Sequence, residues 1–306
     1  MSTVAQLIDR AMREFLYPPD EQPIRFTLGA AIATVGASSF TVDTDLLSPE
    51  EARLLGPGTI VEIDRELIQI GAYNESLSTD QASSCLRGVS NTTPATHLSG
   101  AAGVLAPKFP RQNVFDAVCD EVEVLWPDLA KITETASITI ASSTYTEVPA
   151  AVMKPMYVWA RPTGASSSSE WGEYPVEFLD HFPGSTTGKA IYVPGMPEGG
   201  TGYLVYRAKF TRPTTEATDL VATCGLEDEW ERIVLLGAVA YLIVGKDLSA
   251  IEQQFLAEQL ANQGFQVGSA ARVWSALRSY RQDLLDKAMK AQRGREKTTV
   301  SRRTVY

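Results

Sequence analysis

The segment Arg87–Gly100 reads Arg-Gly-Val-Ser-Asn-Thr-Thr-Pro-Ala-Thr-His-Leu-Ser-Gly and decides how the first third of the chain is interpreted. Two strand-like runs precede it, at Thr59–Ile63 and Glu66–Ile70, and their spacing predicts a strand pair joined by a tight turn. A glycine directly after a strand permits a turn with positive φ, which favours Gly88 in that role. Arg87 can then donate hydrogen bonds to backbone carbonyls of the following loop.

A strand pair followed by the pattern R-G-x-x-x-T-x-x-A-x-H-x-x-G resembles a small β-module that recurs in structural proteins of tailed-phage particles. The resemblance covers about residues 58 to 105. In the family pattern a glycine often stands at the position of Asn91, and asparagine also tolerates the left-handed conformation. The resemblance implies a turn-fixing role for His97 and no chemistry. The residues assigned to this structural turn motif are Arg87, Gly88, His97 and Gly100.

The composition is that of an ordinary soluble globular protein, with 44% apolar and 21% charged residues. A length of 306 residues predicts two or three separate cores. The longest apolar run, Ile233–Val244, is shorter than the roughly 20 residues that cross a bilayer, so no membrane partner is expected. The N-terminal residues lack the pattern of an export signal. Three widely spaced cysteines, Cys85, Cys119 and Cys224, predict small buried hydrophobes in a reducing cytosol.

The net charge of −10 is distributed unevenly along the chain. From Lys287 to the C-terminus there are seven basic residues and one acidic residue, a net charge of +6, so the rest of the chain carries −16. An acidic body repels the nucleic-acid backbone, whereas a basic segment favours an acidic partner surface or phosphate.

Amphipathic helices are predicted at the start, in the middle and at the end of the chain. The first covers Val4 to Leu16 and stops at Pro18-Pro19, and Asn113 is predicted to cap a second. The last third is predicted to be helical, with a final helix from Ser269 to about Gln292. Period-two alternation and turns rich in Gly, Ser and Pro predict an antiparallel sandwich between Ala136 and Phe210.

The predicted fold class is α+β: a discontinuous helical bundle with two inserted antiparallel β modules (a small barrel or sheet, and a β-sandwich) and an extended C-terminal tail. Isolated helices of these lengths are marginal, so packing all of them together is the economical arrangement. The predicted domains are a helical bundle from residues 1–20, 108–132 and 225–292, a small β-barrel-like module at 21–107, a β-sandwich module at 133–224 and an extended basic tail at 293–306.

No motif in the chain predicts catalysis, a cofactor or a metal site. The stretch Gly184–Ala190 is one residue short of a phosphate loop, has alanine where Ser or Thr is needed, and leads into a strand. The only histidines, His97 and His181, have no metal-ligand spacing. A hydrolase using His181 with a serine from Ser166–Ser169 stays open as an alternative, although no nucleophile elbow accompanies them.

The helical portion and the basic C-terminal segment resemble the head–tail connector (adaptor) proteins of tailed phages, which sit beneath the portal ring. The resemblance implies a structural protein of the virion, made in the host cytoplasm, that forms a closed and dodecameric ring. Portal protein would lie above the ring and a stopper or tail protein below it, and DNA would pass through without sequence-specific contact. The residues assigned to the portal-docking arm are Lys287, Lys290, Arg293, Arg295, Lys297, Arg302, Arg303 and Tyr306.

A second function class remains open at this point, that of a tail-tip or baseplate protein whose β-sandwich binds a surface glycan. Aromatic residues are dense in the second β-rich stretch, where some must form the core and exposed ones could stack on sugars. These aromatic residues are Trp159, Trp171, Tyr174, Phe178, Phe182, Tyr192, Tyr203 and Tyr206.

Overall fold

Strands dominate the architecture in the computed structural model. The structure describes residues 2–43, 45, 47–74, 80–140, 145–161, 171–195, 199–244, 246, 248–262 and 273–302. Within these ranges the chain forms fifteen strands in three antiparallel sheets, together with six α-helices.

The first sheet has seven strands, curls into a half-barrel, and has the order β4-β3-β7-β1-β2-β6-β5. Its strands are β1 (Arg25–Leu28), β2 (Phe40–Asp43), β3 (Ile60–Ile63), β4 (Glu66–Gln69), β5 (Ala72–Asn74), β6 (Asp80–Ser83) and β7 (Ala102–Leu105). The predicted strand pair is confirmed as the β3–β4 hairpin, in which Val61 lies opposite Ile68. A one-turn helix, α2 (Pro49–Ala52), begins at a capping box formed by Ser48 and Glu51.

The second and third sheets share one apolar core. The five-stranded sheet contains β8 (Lys131–Glu134), β9 (Ile138–Ile140), β11 (Lys154–Arg161), β12 (Gly172–Tyr174) and β15 (Gly200–Ala208). The three-stranded sheet contains β10 (Thr146–Glu147), β13 (Glu177–Leu179) and β14 (Ala190–Tyr192). Val158 and Leu204 from the first of these sheets pack with Ile191 from the second.

The helices form a third apolar cluster. They are α1 (Val4–Ala11), continued by a π-helical turn at Met12–Leu16, α3 (Arg111–Val124), α4 (Glu231–Ile243), α5 (Ala250–Asn262) and α6 (Val273–Arg302). Leu7, Val118, Leu235 and Leu277 come from four of these helices and meet in the cluster. None of the helices in the described ranges is long and apolar enough to cross a membrane.

The prediction of a helical bundle with inserted β modules and an extended tail is wrong. The protein is α+β but strand-rich, and the seven-stranded sheet has an apolar core of its own that includes Phe26 and Ile63. The prediction assumed that the short helices bury their apolar faces only against one another. Sheets with buried faces, however, form layers of the fold in their own right. The tail prediction fails because α6 continues through Gly294 to Arg302: Arg293 and Arg295–Lys297 are good helix formers, and extending an existing helix needs no new nucleation.

The cysteines follow the sequence prediction. Cys85, Cys119 and Cys224 are all free and buried.

Gly103 in β7 gives a test of the packing in the seven-stranded sheet. A Cβ at Gly103 would lie 2.2 Å from the ring of Phe26, which is fully buried, so the ring or the strand would have to shift. We expect Gly103→Ala to lower the free energy of unfolding by about 2 kcal/mol, measured by urea denaturation. Gly36→Ala is the matched control because its Cβ would meet no atom within 4 Å. Equal effects of the two substitutions would contradict the close packing of Phe26 on β7.

Candidate functional site

The turn motif is built around the buried carboxylate of Glu66. Glu66 lies at the start of β4, is 2% exposed, and forms a two-point ion pair with the Arg87 guanidinium. Arg87 Nε lies 2.6 Å from Glu66 Oε1, and Arg87 Nη2 lies 2.6 Å from Glu66 Oε2. The backbone N–H groups of Gly88 and Ala95 also donate to this carboxylate. One side chain of the hairpin therefore holds both ends of the following loop.

His97 joins Glu66 to the turn of the hairpin. Its Nε2 lies 2.9 Å from Glu66 Oε2 and its Nδ1 lies 2.6 Å from Asp64 Oδ2. Both ring nitrogens thus face carboxylate oxygens. A neutral imidazole has one N–H and can donate to one of them, whereas a protonated ring can donate to both. We call Asp64, Glu66, Arg87 and His97 the ion cluster.

The loop between Arg87 and Gly100 has the backbone geometry that its sequence suggests. Gly88 has a φ of +66°, and a Cβ there would lie 2.8 Å from the Thr92 carbonyl oxygen, so only glycine fits. Asn91 has a φ of +65°, the left-handed conformation predicted for it. Arg87 donates to the carbonyl oxygen of Ala95, the type of contact expected from the sequence.

The ionised form of Glu66 is favoured despite its burial. Burial acts to raise the pKa of Glu66, but hydrogen bonds from Arg87, Ala95 and His97 outweigh it and hold the pKa below its usual range. Its oxygens are occupied by five donors from the chain itself. This arrangement stabilises a loop and offers no vacant oxygen for acid–base chemistry.

Substitution of Glu66 tests the ion cluster. Glu66→Gln keeps the shape of the side chain but leaves the Arg87 guanidinium, 7% exposed, without its counter-charge. Removing one partner of a buried ion pair costs about 3–5 kcal/mol, so we expect the free energy of unfolding to fall by ~3 kcal/mol in urea denaturation. Glu134→Gln on β8, an exposed position, is the control. A loss below about 1 kcal/mol would mean that the pair contributes no more than a surface ion pair.

The other side of the same hairpin contacts the helical core through Glu62. The predicted N-cap at Asn113 is wrong, because α3 begins at Arg111 after Pro110, which provides no side-chain cap. Glu62 of β3 provides the cap instead. Its Oε1 accepts the backbone N–H of Arg111 at 2.5 Å and that of Gln112 at 3.4 Å. A carboxylate from the sheet therefore satisfies donors that the helix sequence leaves open.

Three further charged side chains and one aromatic ring extend this junction. The Arg111 guanidinium binds Glu216 with distances of 2.6 to 3.0 Å, and binds Asp9 of α1 at 2.7 Å. Arg65, in the turn of the β3–β4 hairpin, lies 3.6 Å from Glu216 and stacks 4.6 Å from the centre of the Phe115 ring. Two adjacent residues of one turn thus contact different parts of the protein. Asp64 contacts the loop motif, and Arg65 contacts the helices.

A cavity of about 550 Å³ opens at this junction. It is lined by residues of the sheet and of the helices, including Asp9, Arg25, Asp64 and Arg111. Glu62 also lines it and is 3% exposed. Burial raises the pKa of Glu62 to about 7, while the N–H groups of Arg111 and Gln112 oppose that rise. The junction therefore contains one carboxyl group that titrates near neutral pH.

The titration of Glu62 predicts a pH dependence of stability. The folded pKa of about 7 lies above the ordinary value of 4.5, so the folded state binds more protons between these values. The stabilisation is full below pH 4.5 and is lost as the pH rises through about 7, a change of roughly 3 kcal/mol. We expect Glu62→Gln to flatten the fall in the free energy of unfolding between pH 5 and about 8, measured by urea denaturation.

The control for this experiment is Glu134→Gln, which removes an exposed carboxylate from β8. It should retain the slope of the unsubstituted protein. An identical slope in all three proteins would show that Glu62 is ionised throughout this range.

The residues assigned to the docking arm lie elsewhere, along α6. Lys287, Lys290 and Arg293 are exposed on this helix. The positions of Arg295, Lys297 and Arg302 also belong to α6, whereas Arg303 and Tyr306 lie outside the described residues.

Two polar contacts connect α6 to the rest of the helical core. Arg281 pairs with Glu121 of α3 at 2.7 Å in a partly buried position, and the Gln292 side chain donates to the Ala130 carbonyl oxygen at 2.7 Å. Gln292 is 3% exposed. It is the last buried residue of α6 among those whose burial the structure describes, and most of the basic segment follows it in sequence.

Neither a protein-family model nor a curated protein matches this sequence. The function must therefore be argued from the residues of this chain. Among the residues that the structure describes, no group of three or more His, Cys, Asp or Glu side chains could hold a metal ion. His181 is exposed, and its Nδ1 lies 2.5 Å from the carbonyl oxygen of Asp180, while Ser166–Ser169 lie outside the described residues.

Sequence reasoning found Arg87 and His97 but missed their carboxylate partners. Asp64 and Glu66 stand at the turn and at the start of the second strand of the hairpin, where a solvated charge is the usual expectation. Sequence reasoning also missed the cap of α3, for which a signal was available: Glu62 is a charged residue inside the apolar run Ile60–Ile63, and a charge buried on a strand must have a partner.

Proposed function

We propose that this protein is a structural head-to-tail connector of a tailed phage, and that it docks to the portal through the basic end of α6. The observation that carries the proposal is the position of that end. Among the α6 residues whose burial the structure describes, Gln292 is the last buried one, and five of the seven basic residues of the segment follow it in sequence. A helix end with so strong a charge is suited to contact another molecule.

The distribution of charge supports the same function. The segment from Lys287 carries +6, and the rest of the chain carries −16. A body of that charge repels DNA phosphates and makes few of the contacts that release counterions, so DNA could pass a ring of such subunits without being gripped. The basic end would meet an acidic surface of the portal.

The proposed ring, dodecameric by the resemblance, needs a repeated contact between unlike surfaces of neighbouring copies. Large apolar side chains exposed on the helical part are suited to such a contact. They are Tyr241 and Val244 at the end of α4, Ile251 in α5 and Trp274 in α6, with exposed fractions of 42 to 66%. In this proposal the chain acts mechanically in the virion and catalyses no reaction, and its ion cluster stabilises a loop.

Truncation after Gln292 tests the docking arm. The shortened chain keeps the Arg281–Glu121 and Gln292–Ala130 contacts, so we expect its thermal unfolding midpoint to change little. We expect it to lose binding to portal rings of the phage that encodes it, measured by co-sedimentation, and to give heads without tails in complementation.

A full-length variant tests whether portal binding depends on the charge of the arm and not only on its length. In it Arg293, Arg295, Lys297, Arg302 and Arg303 are replaced by Gln, and it should bind the portal at least tenfold more weakly. The control is Lys154→Gln with Lys209→Gln, two exposed lysines outside the arm, which should bind normally. Normal tailed particles from the truncated protein would refute the docking role.

A further inference from the structure

Three aromatic rings lie together on the outer side of the five-stranded sheet. Trp159 of β11 is directly opposite Tyr203 of β15, and Trp171 precedes β12 at the edge of the sheet. The neighbours of Trp159 along the strand, Val158 and Ala160, belong to the shared core of the two smaller sheets. Because side chains alternate between the faces of a strand, Trp159 and Tyr203 point away from that core.

The rings contact one another closely. The Trp159 and Trp171 rings lie 6.4 Å apart between centres and are nearly parallel, with an interplanar angle of 10°. The Trp171 and Tyr203 rings lie 5.7 Å apart at an angle of 30°. Trp171 is 37% exposed, and the other two rings are half-buried. We call Trp159, Trp171 and Tyr203 the aromatic face.

Sheet stability explains only part of this arrangement. Cross-strand aromatic pairs stabilise a sheet by up to about 1 kcal/mol, which accounts for Trp159 opposite Tyr203. It does not account for Trp171, which adds a third large ring while leaving over a third of its own surface in solvent. An exposed indole at the edge of a sheet is a typical anchor for a ligand, because it offers a rigid apolar surface.

Polar side chains border the aromatic face. On the same side of the sheet, Glu173 lies opposite Trp159. Arg161 lies opposite Thr201, and Thr201 lies opposite Thr139. Thr139 and Thr201 are both exposed. The face therefore combines flat apolar rings with donors and acceptors at their edge.

Three classes of ligand can be compared with this combination of rings and polar groups: a protein, a nucleic acid and a saccharide. A stable protein interface buries about 800 Å² on each side around an apolar centre, and three rings bordered by charges and hydroxyls supply too little apolar surface for that. Nucleic-acid bases also stack on aromatic rings, but they bring a phosphate backbone that a body of net charge −16 repels. A pyranose presents an apolar C–H face to a ring and hydroxyl groups at its edge, which matches both parts of the surface.

We propose that the aromatic face binds a saccharide, with a pyranose ring stacked on Trp171 and its hydroxyl groups directed to the polar border. This site is separate from the basic end of α6 and does not depend on the portal-docking proposal. It places a second, sugar-directed contact on the sandwich of the same subunit.

The test uses the full-length protein on an array of defined oligosaccharides that contain glucose, galactose, N-acetylglucosamine and rhamnose pyranosides. Hits are titrated in solution by saturation-transfer NMR. We expect binding by the unsubstituted protein, at least tenfold weaker binding by Trp171→Ala and Tyr203→Ala, and partial retention by Trp171→Phe, which keeps a ring. Tyr145→Ala is the matched control, because Tyr145 is an aromatic residue outside the aromatic face with a similar exposed fraction, 38%.

Two results would overturn the proposal. The first is the absence of any saccharide binding at millimolar concentration by a protein whose thermal unfolding is normal. The second is binding that Tyr145→Ala weakens as much as Trp171→Ala. A single-stranded oligodeoxythymidine is titrated in parallel, and its binding to the aromatic face without saccharide binding would also refute the proposal. Portal binding by the Trp171→Ala variant should be unchanged, which keeps this test distinct from that of the docking arm.

Discussion

The position of the loop Arg87–Gly100 beside the first sheet depends on the carboxylate of Glu66. It neutralises Arg87, accepts the N–H groups of Gly88 and Ala95, and contacts His97, so one buried group fixes a loop of fourteen residues to the hairpin. Burying a charge is expensive unless its hydrogen bonds are complete. Here the chain completes them with its own donors, which anchor the loop although it has no large apolar core of its own.

The hairpin that carries Glu66 also connects the sheet to the helices. Glu62 caps α3, Arg65 contacts Glu216 and Phe115, and Asp64 between them contacts His97. The loop motif and the helical core are thus connected through a turn of two residues. The charged groups are concentrated where sheet and helices meet, and protonation of Glu62 would remove one of those charges.

Local patterns in the sequence predicted individual elements better than their assembly. The β3–β4 hairpin followed from the two strand-like runs, and the left-handed Asn91 from the glycine that the resembled family pattern has at that position. The start of α3 could not be predicted locally, because its capping group, Glu62, is 49 residues away along the chain. The extended tail was wrong because its first charged residues, Arg293 to Lys297, continue a helix that is already formed. The partners of Arg87 were missed because charged residues near turns are usually solvated.

The continuity of α6 changes how a contact at its end would work. Ten residues separate Gln292 from Arg302, and as helix they span about 15 Å. A flexible tether explores many distances and loses conformational entropy when it is captured, whereas a rod has already lost that freedom. A rigid helix also fixes the distance between its two ends, so a partner bound near Arg302 would lie at a set distance from Gln292.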